Sequence, residues 1–167
     1  HLDMWLRNEI VMHRDAAEGI QAMLEKNLNI PVEVRNVENK IFMDNLNNHT
    51  LTFGLVPYEF DFVDPSNLLG LWRSNGRHNW NNITFDNLMK AASGEARDIG
   101  RRIDLYKKAE RLLVEEVAGV FLWYRQRSQV WKPYLKGSAL EPNRSGFRAW
   151  RGDQVMSSLL TMYISKK

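Results

Sequence analysis

The chain has 167 residues, 44% of them hydrophobic and 26% charged, with a formal net charge of +3 and no cysteine. That length and composition describe one folded domain with a substantial core and exclude a disordered tail. The missing cysteines exclude disulfides, thiolate catalysis and thiolate zinc sites, and interleaved charges with so small a net excess do not point to nucleic acid.

Leu2, Met4 and Leu6 alternate with Asp3, Trp5 and Arg7, which predicts a short strand. Asp15-Ala16-Ala17-Glu18 has the spacing of a capping box and opens a predicted helix over 14–28, with Ala16, Ile20, Met23, Leu24 and Leu28 on one stripe. Asn29 and Pro31 stop it. Alternation from Val32 to Val37 predicts a second strand, and 39–48 a short helix with Ile41, Phe42 and Leu46 inward. Leu51 to Val56 completes the pattern as a third strand, with Gly54 placed for close approach of another backbone. Strand, helix, strand, helix, strand in this order predicts a right-handed parallel βαβαβ unit.

The next stretch, Tyr58-Glu59-Phe60-Asp61-Phe62-Val63-Asp64-Pro65-Ser66-Asn67, sets acids among aromatic rings where the third strand ends. Pro65 lacks an N–H and turns the chain, and Asp64 or Ser66 can cap a short helix through Leu68–Trp72. Its local chemistry fits both a turn with solvated acids and a ligand loop outside the carboxyl end of a strand. Residues 73–83 hold four Asn, one Gly and no aliphatic before Ile83. This loop either folds Trp80 back as an anchor or offers Asn79 and Trp80 to a ligand.

Residues 84–94 predict a helix, and 97–117 a stronger one, with Ile99, Ile103, Tyr106, Ala109, Leu113 and Val117 inward. The apolar run Val120–Tyr124, preceded by Gly119, predicts a strand buried on both faces. Residues 138–153 are polar with Phe147 and Trp150 as anchors, and 159–164 predict a last strand before Lys166-Lys167.

An aromatic residue followed by Asp-aromatic-x-acid-Pro, here Tyr58 and Asp61-Phe62-Val63-Asp64-Pro65, resembles the signature loop of the family 5 extracellular solute-binding proteins. Further segments are similar in family order: Ala17-Glu18-Gly19-Ile20-Gln21 before Val32-Glu33-Val34, Phe85-Asp86-Asn87-Leu88 after the Asn-rich loop, and Arg102, Tyr106, Ala109-Glu110 and Leu113. The resemblance covers roughly residues 2–137. It implies an α/β, periplasmic-binding-protein-like lobe with a mixed, mostly parallel sheet flanked by helices.

It also implies a function. Members are substrate-binding components of ABC importers that enclose peptides or similar small solutes between two lobes, outside the cytoplasm. The single domain 1–167 is then expected to be part of the carboxy-terminal lobe. Its partners would be the ligand, the amino-terminal lobe of the same protein and a membrane permease, with no nucleic acid and no cofactor. A chain opening on His1-Leu2-Asp3 without an initiator Met agrees with a segment of a longer protein. The resemblance assigns Asp61 to a ligand ammonium, with Tyr58, Phe60, Phe62, Asn79 and Trp80 as further ligand-binding candidates. Leu55 stands where some members place an arginine for peptide carboxylates, so carboxylate recognition is not carried over.

Catalysis has little to rest on. The four histidines fall at turns, at the terminus or in the Asn-rich loop, with no metal-ligand spacing, and no phosphate loop is present. The rival expectation is an acid-dependent hydrolase built on Glu59, Asp61 and Asp64.

Overall fold

The computed structural model describes the chain apart from residues 1, 10, 60, 125–127, 129, 143–145, 147, 149–155 and 166–167, and only the backbone of 11 and 156–158. The described residues form two compact units, 1–120 and 121–167. Phe60, Phe147, Trp150 and the Lys166-Lys167 terminus lie outside the described residues.

The first unit opens as expected. Strand β1 (Leu2–Arg7) leads through helix α1 (Val11–Leu28) to β2 (Val32–Val37), and through α2 (Asn39–Asn47) to β3 (Phe53–Gly54). The sheet order is β2-β1-β3, all parallel, with Leu2 level with Val32 and Met4 level with Phe53. Right-handed crossovers in this order put the two helices on opposite faces. On the α1 face, Met4, Leu6, Ala17 and Val32 are buried, with Ile20, Leu24, Val34, Phe53 and Leu55 packed around them. On the other face α2 buries Phe42, and a Cβ at Gly54 would stand 3.6 Å from its ring. The atoms nearest Gly54 belong to the side chains of Leu51, Phe42 and Val56, so no other backbone makes the close approach its sequence suggested.

Several boundaries differ from expectation. Helix α1 starts at Val11, which leaves Asp15 exposed inside the helix and not at a cap. His13 is likewise helical and buried, 3% exposed, rather than at a turn. At the other end Asn29 adopts φ 54°, the left-handed conformation Asn tolerates, and stops α1 as its sequence predicted. Strand β3 has two residues instead of six, Phe53 and Gly54, paired with Met4 and Trp5 of β1.

Helix α3 (Pro65–Leu69) runs into a 3₁₀ turn over Gly70–Trp72, and α4 (Ile83–Gly94) and α5 (Ile99–Glu115) follow. The main packing of α5 is against α4, where Phe85, Met89, Ala92, Tyr106, Ala109 and Leu113 form a second core. Ile103 is half-buried, while Ile99 and Val117 at the stripe's two ends are exposed. Asp98 caps α5 by accepting from the Arg101 N–H at 2.9 Å. Past the helix, Val117 takes φ 51°, a strained angle for a β-branched residue. The turn carries Ala118 against the second core and Gly119 beneath the Trp72 ring.

Residues 120–124 correct the sequence expectation most sharply. They form no ladder, and all five are exposed, Tyr124 by 97%. A strand buried on both faces has its side chains shielded from water on each side, whereas this run is exposed throughout. In the second unit, β4 (Leu135–Gly137) pairs antiparallel with β5 (Met162–Ile164), so the last strand is shorter than the predicted 159–164. Arg148 bonds to the Leu140 carbonyl at 2.9 Å and lies over the Trp131 ring.

A Cβ at Gly119 would collide with Trp72, and the ring lies between the turn and the second core. Gly119→Ala is expected to lower unfolding free energy by about 1–3 kcal/mol, the usual cost of overpacking. Urea denaturation checks this, and an unchanged midpoint would show that the ring moves aside freely.

Candidate functional site

The candidate site begins where the sheet ends. The last ladder bond runs from the Leu55 N–H to the Trp5 carbonyl at 2.9 Å, after which Val56 and Pro57 carry the chain off β3. Asp64 is extended (φ −153°, ψ 142°), as the residue before a proline must be, and its Oδ1 accepts the Ser66 N–H at 2.9 Å. The expected cap is therefore Asp64, with Pro65 at the first helical position. Its other oxygen, Oδ2, accepts from Arg102 Nη2 at 2.7 Å. That guanidinium also lies 5.0 Å from the Tyr106 ring centroid.

Burial raises the Asp64 carboxyl pKa, but hydrogen bonds from Ser66 and Arg102 and the Arg102 charge outweigh it and hold the group below the ordinary carboxylate range. Asp64 stays ionised.

Asp61 is held differently. Tyr58 donates its hydroxyl to Asp61 Oδ2 at 3.1 Å, and Asn67 Nδ2 donates to the same oxygen at 3.4 Å. Asn67 Oδ1 in turn accepts the Asp61 N–H at 3.0 Å. Asn67 is the third residue of α3, the position whose side chain commonly reaches back past a helix start. Asp61 remains exposed, and no cation is paired with it among the described residues. Burial first, and then the bond to Asp61, hold the Tyr58 phenol above its ordinary pKa, so it keeps the proton it donates.

The Asn-rich loop is closed on itself. Ser74 N–H donates to Asp86 Oδ1 at 3.0 Å, Asn75 N–H to Asn81 Oδ1 at 2.9 Å, and Asn82 Oδ1 caps α4 through the Phe85 N–H at 3.0 Å. Trp80 turns inward, edge-on to Phe85, and donates Nε1–H to Glu116 at 2.9 Å. Asn82 donates to the other oxygen of Glu116 at 2.8 Å. His78 stacks on Trp72 with centroids 5.1 Å apart, and its Nε2 faces the Leu71 carbonyl at 3.0 Å, which places the ring proton there.

Of the six candidates, the structure joins Tyr58 and Asp61 directly, and Phe62 follows them, 54% exposed. Phe60 lies outside the described residues. Trp80 serves as the loop's anchor, and Asn79 is exposed with its carbonyl accepting from Asn81 at 3.4 Å. No described contact brings either to Asp61. Two supports escaped the sequence reading as site residues, Asn67 and Arg102. The signal for Asn67 was its place three residues into a Pro-started helix. Among the described residues no cluster of His, Asp and Glu suits a metal ion.

This geometry can be set beside known proteins. No family model matches the chain. The oligopeptide-binding protein OppA of Bacillus subtilis is 33% identical over 129 residues, covering 75% of this chain and 24% of that protein. The periplasmic murein peptide-binding protein MppA of Escherichia coli is 29% identical over 135 residues, covering 79% and 25%. The solved structure of the E. coli murein tripeptide binding protein MppA superposes with a TM-score of 0.73 at 26% identity, over 99% of this chain and 31% of that one. The chain is related to the family 5 extracellular solute-binding proteins. It spans about a quarter of the length of the curated relatives it matches. Its fold is that of a periplasmic-binding-protein-like domain, as its similarity to the family implied. Those relatives carry the names of binding proteins, not of enzymes, and several are periplasmic by name. Among the described residues no helix is long and apolar enough to cross a membrane.

The Asp64–Arg102 pair makes stability depend on pH with a definite sign. A carboxyl whose folded pKa is depressed stabilises above its unfolded value, and the contribution is lost as pH falls through the folded one. Asp64→Asn keeps a capping oxygen but removes the charge. It is expected to cost about 1–2 kcal/mol at pH 7, between exposed and buried pairs. That difference from the native chain should vanish in acid below the ordinary carboxylate range. Thermal denaturation across pH measures it, and a gap that persists in acid would deny the ion pair its role.

Proposed function

We propose that this chain is part of the carboxy-terminal lobe of a two-lobed receptor that captures peptides or similar small solutes for an ABC importer. The receptor works outside the cytoplasm and hands its cargo to a membrane permease, with an amino-terminal lobe supplying the other wall of the site.

One observation carries this reading. Asp61 presents an exposed carboxylate in the loop that leaves β3, oriented by Tyr58 and Asn67 and without a paired cation among the described residues. A carboxylate fixed in that way suits a ligand ammonium, and closure of a second lobe would strip the water that screens the pair. Phe62 offers an apolar face beside it.

The hydrolase alternative draws less support from the same geometry. Acid–base chemistry with two carboxyls needs one of them protonated, whereas Asp64 is held ionised by Arg102 and Ser66. Peptide binding without turnover is the expected behaviour.

In the full-length protein, Asp61→Asn is expected to weaken binding of a free-amine peptide by roughly 30- to several-thousand-fold, the range seen when one partner of a desolvated charge pair is removed. The melting temperature of the empty receptor should barely move, since Asp61 is exposed. Titration calorimetry checks this. Equal affinity for the mutant, or for an N-acetylated peptide, removes Asp61 from the site.

A further inference from the structure

The hydrogen bonds around Asp61 leave a second acceptor beside its carboxylate. Asp61 Oδ2 takes both bonds that orient the group, from the Tyr58 hydroxyl at 3.1 Å and from Asn67 Nδ2 at 3.4 Å. Oδ1 takes none among the described residues. A phenol has one proton and two lone pairs, and Tyr58 commits its proton to Asp61. Burial first, and then that bond, keep the proton on the phenol and so fix the direction of donation. Toward solvent the phenol oxygen is therefore an acceptor, and no donor reaches it among the described residues.

Both groups are open to a ligand, Tyr58 at 45% exposure and Asp61 fully in the exposed class. A hydrogen bond from nitrogen spans about 2.7–3.2 Å, so one nitrogen can contact a phenol oxygen and a carboxylate that stand 3.1 Å apart. The other neighbours offer such a nitrogen nothing. Asn67 turns its amide nitrogen, a donor, toward Asp61 and uses its oxygen for the Asp61 N–H at 3.0 Å. Phe62 has no acceptor on its side chain.

We propose that the Tyr58 hydroxyl is a direct ligand contact, accepting a second hydrogen bond from the ammonium that Asp61 holds, so that the site requires two N–H bonds on that nitrogen. The proposal rests on the receptor reading above and specifies its substrate class. Primary and secondary amines qualify, including peptides that begin with proline. Tertiary and quaternary ammonium compounds do not, although they carry the same charge. A tertiary ammonium that gives its single N–H to Asp61 turns a methyl group to the phenol oxygen, which then loses water and gains no partner. Coulomb attraction alone does not draw this distinction, because it follows charge and distance.

Four cationic probes test this in the full-length protein: Ala-Ala-Ala-amide and its N-methyl, N,N-dimethyl and N,N,N-trimethyl derivatives. Calorimetry at about pH 6 keeps them charged, below the ~7.7–8.0 of an α-amino group. The native protein is expected to bind the N-methyl probe about tenfold or more better than the N,N-dimethyl probe. In Tyr58→Phe that ratio should shrink by about tenfold. The ring is kept and the added methyl is the same for both proteins, so the change in ratio isolates the hydroxyl. Asn67→Ala removes the other donor to Asp61, and it should weaken both probes by the same factor.

A native ratio retained in Tyr58→Phe overturns the proposal, whether the affinities fall together or stay as they were. So does an equal shrinkage in Asn67→Ala, since orientation of Asp61 would then account for it. A trimethyl probe bound as tightly as the primary amine also overturns it, because the contact would be the ring face and not the hydroxyl. If the native ratio is near one while Asp61→Asn still weakens the primary amine, the Tyr58 contact falls and the receptor reading stands. If Asp61→Asn leaves all four affinities unchanged, amine recognition fails and the proposal fails with it.

Discussion

The contact between Asp64 and Arg102 joins what the sequence keeps 38 residues apart. On one side, Asp64 starts α3 and so sets where Asn67 stands, and Asn67 fixes the backbone and carboxylate of Asp61. On the other, Arg102 belongs to the turn of α5 that packs Tyr106 into the second core. The Asp61 loop, which leaves a three-stranded sheet at its short edge strand, is thus oriented from the helical part of the same unit. A single pair, partly shielded from water, holds both ends of that arrangement. This is why Asp64 and Asp61, three residues apart in similar sequence surroundings, differ in chemistry. One is committed to a cation inside the protein and the other is left facing out.

What the sequence made legible follows from where the determining forces act. Alternation in Leu2–Arg7 and Val32–Val37 and the apolar stripe of α5 are local patterns, and they located β1, β2 and α5 within a few residues. The Asp64-Pro65 start of α3 and the Asn29 stop of α1 were equally visible, because caps and turns are chosen by backbone chemistry. The capping box at Asp15 failed for a related reason: the spacing also occurs within a helix, and nothing local says the helix has already begun. The run 120–124 failed because apolar composition shows what a segment would bury and not whether a neighbour is there to cover it. Phe42 beside Gly54 and Arg102 beside Asp64 depend on distant chain meeting, which no window of sequence displays.

The Asn-rich loop shows a different limit. Its composition said loop, and both readings of Trp80 used the same residues. The structure separates them through Glu116, whose two oxygens take the Trp80 indole and the Asn82 amide. Asn82 uses its oxygen to cap α4 and its nitrogen to meet Glu116, so one side chain starts a helix and ties it to the end of another. A loop without aliphatic residues is thereby given a defined shape by polar contacts and two inward rings.

The fit of Trp72 over Gly119 carries an evolutionary consequence. Because the space under the ring is smaller than a methyl group, the two positions are not free to drift independently. Any lineage that acquires a side chain at 119 has to shrink or tilt the ring at 72, which also supports the stacked His78. Residues 72, 78 and 119 should therefore change together across relatives, as one correlated unit threading the Asn-rich loop to the turn after α5.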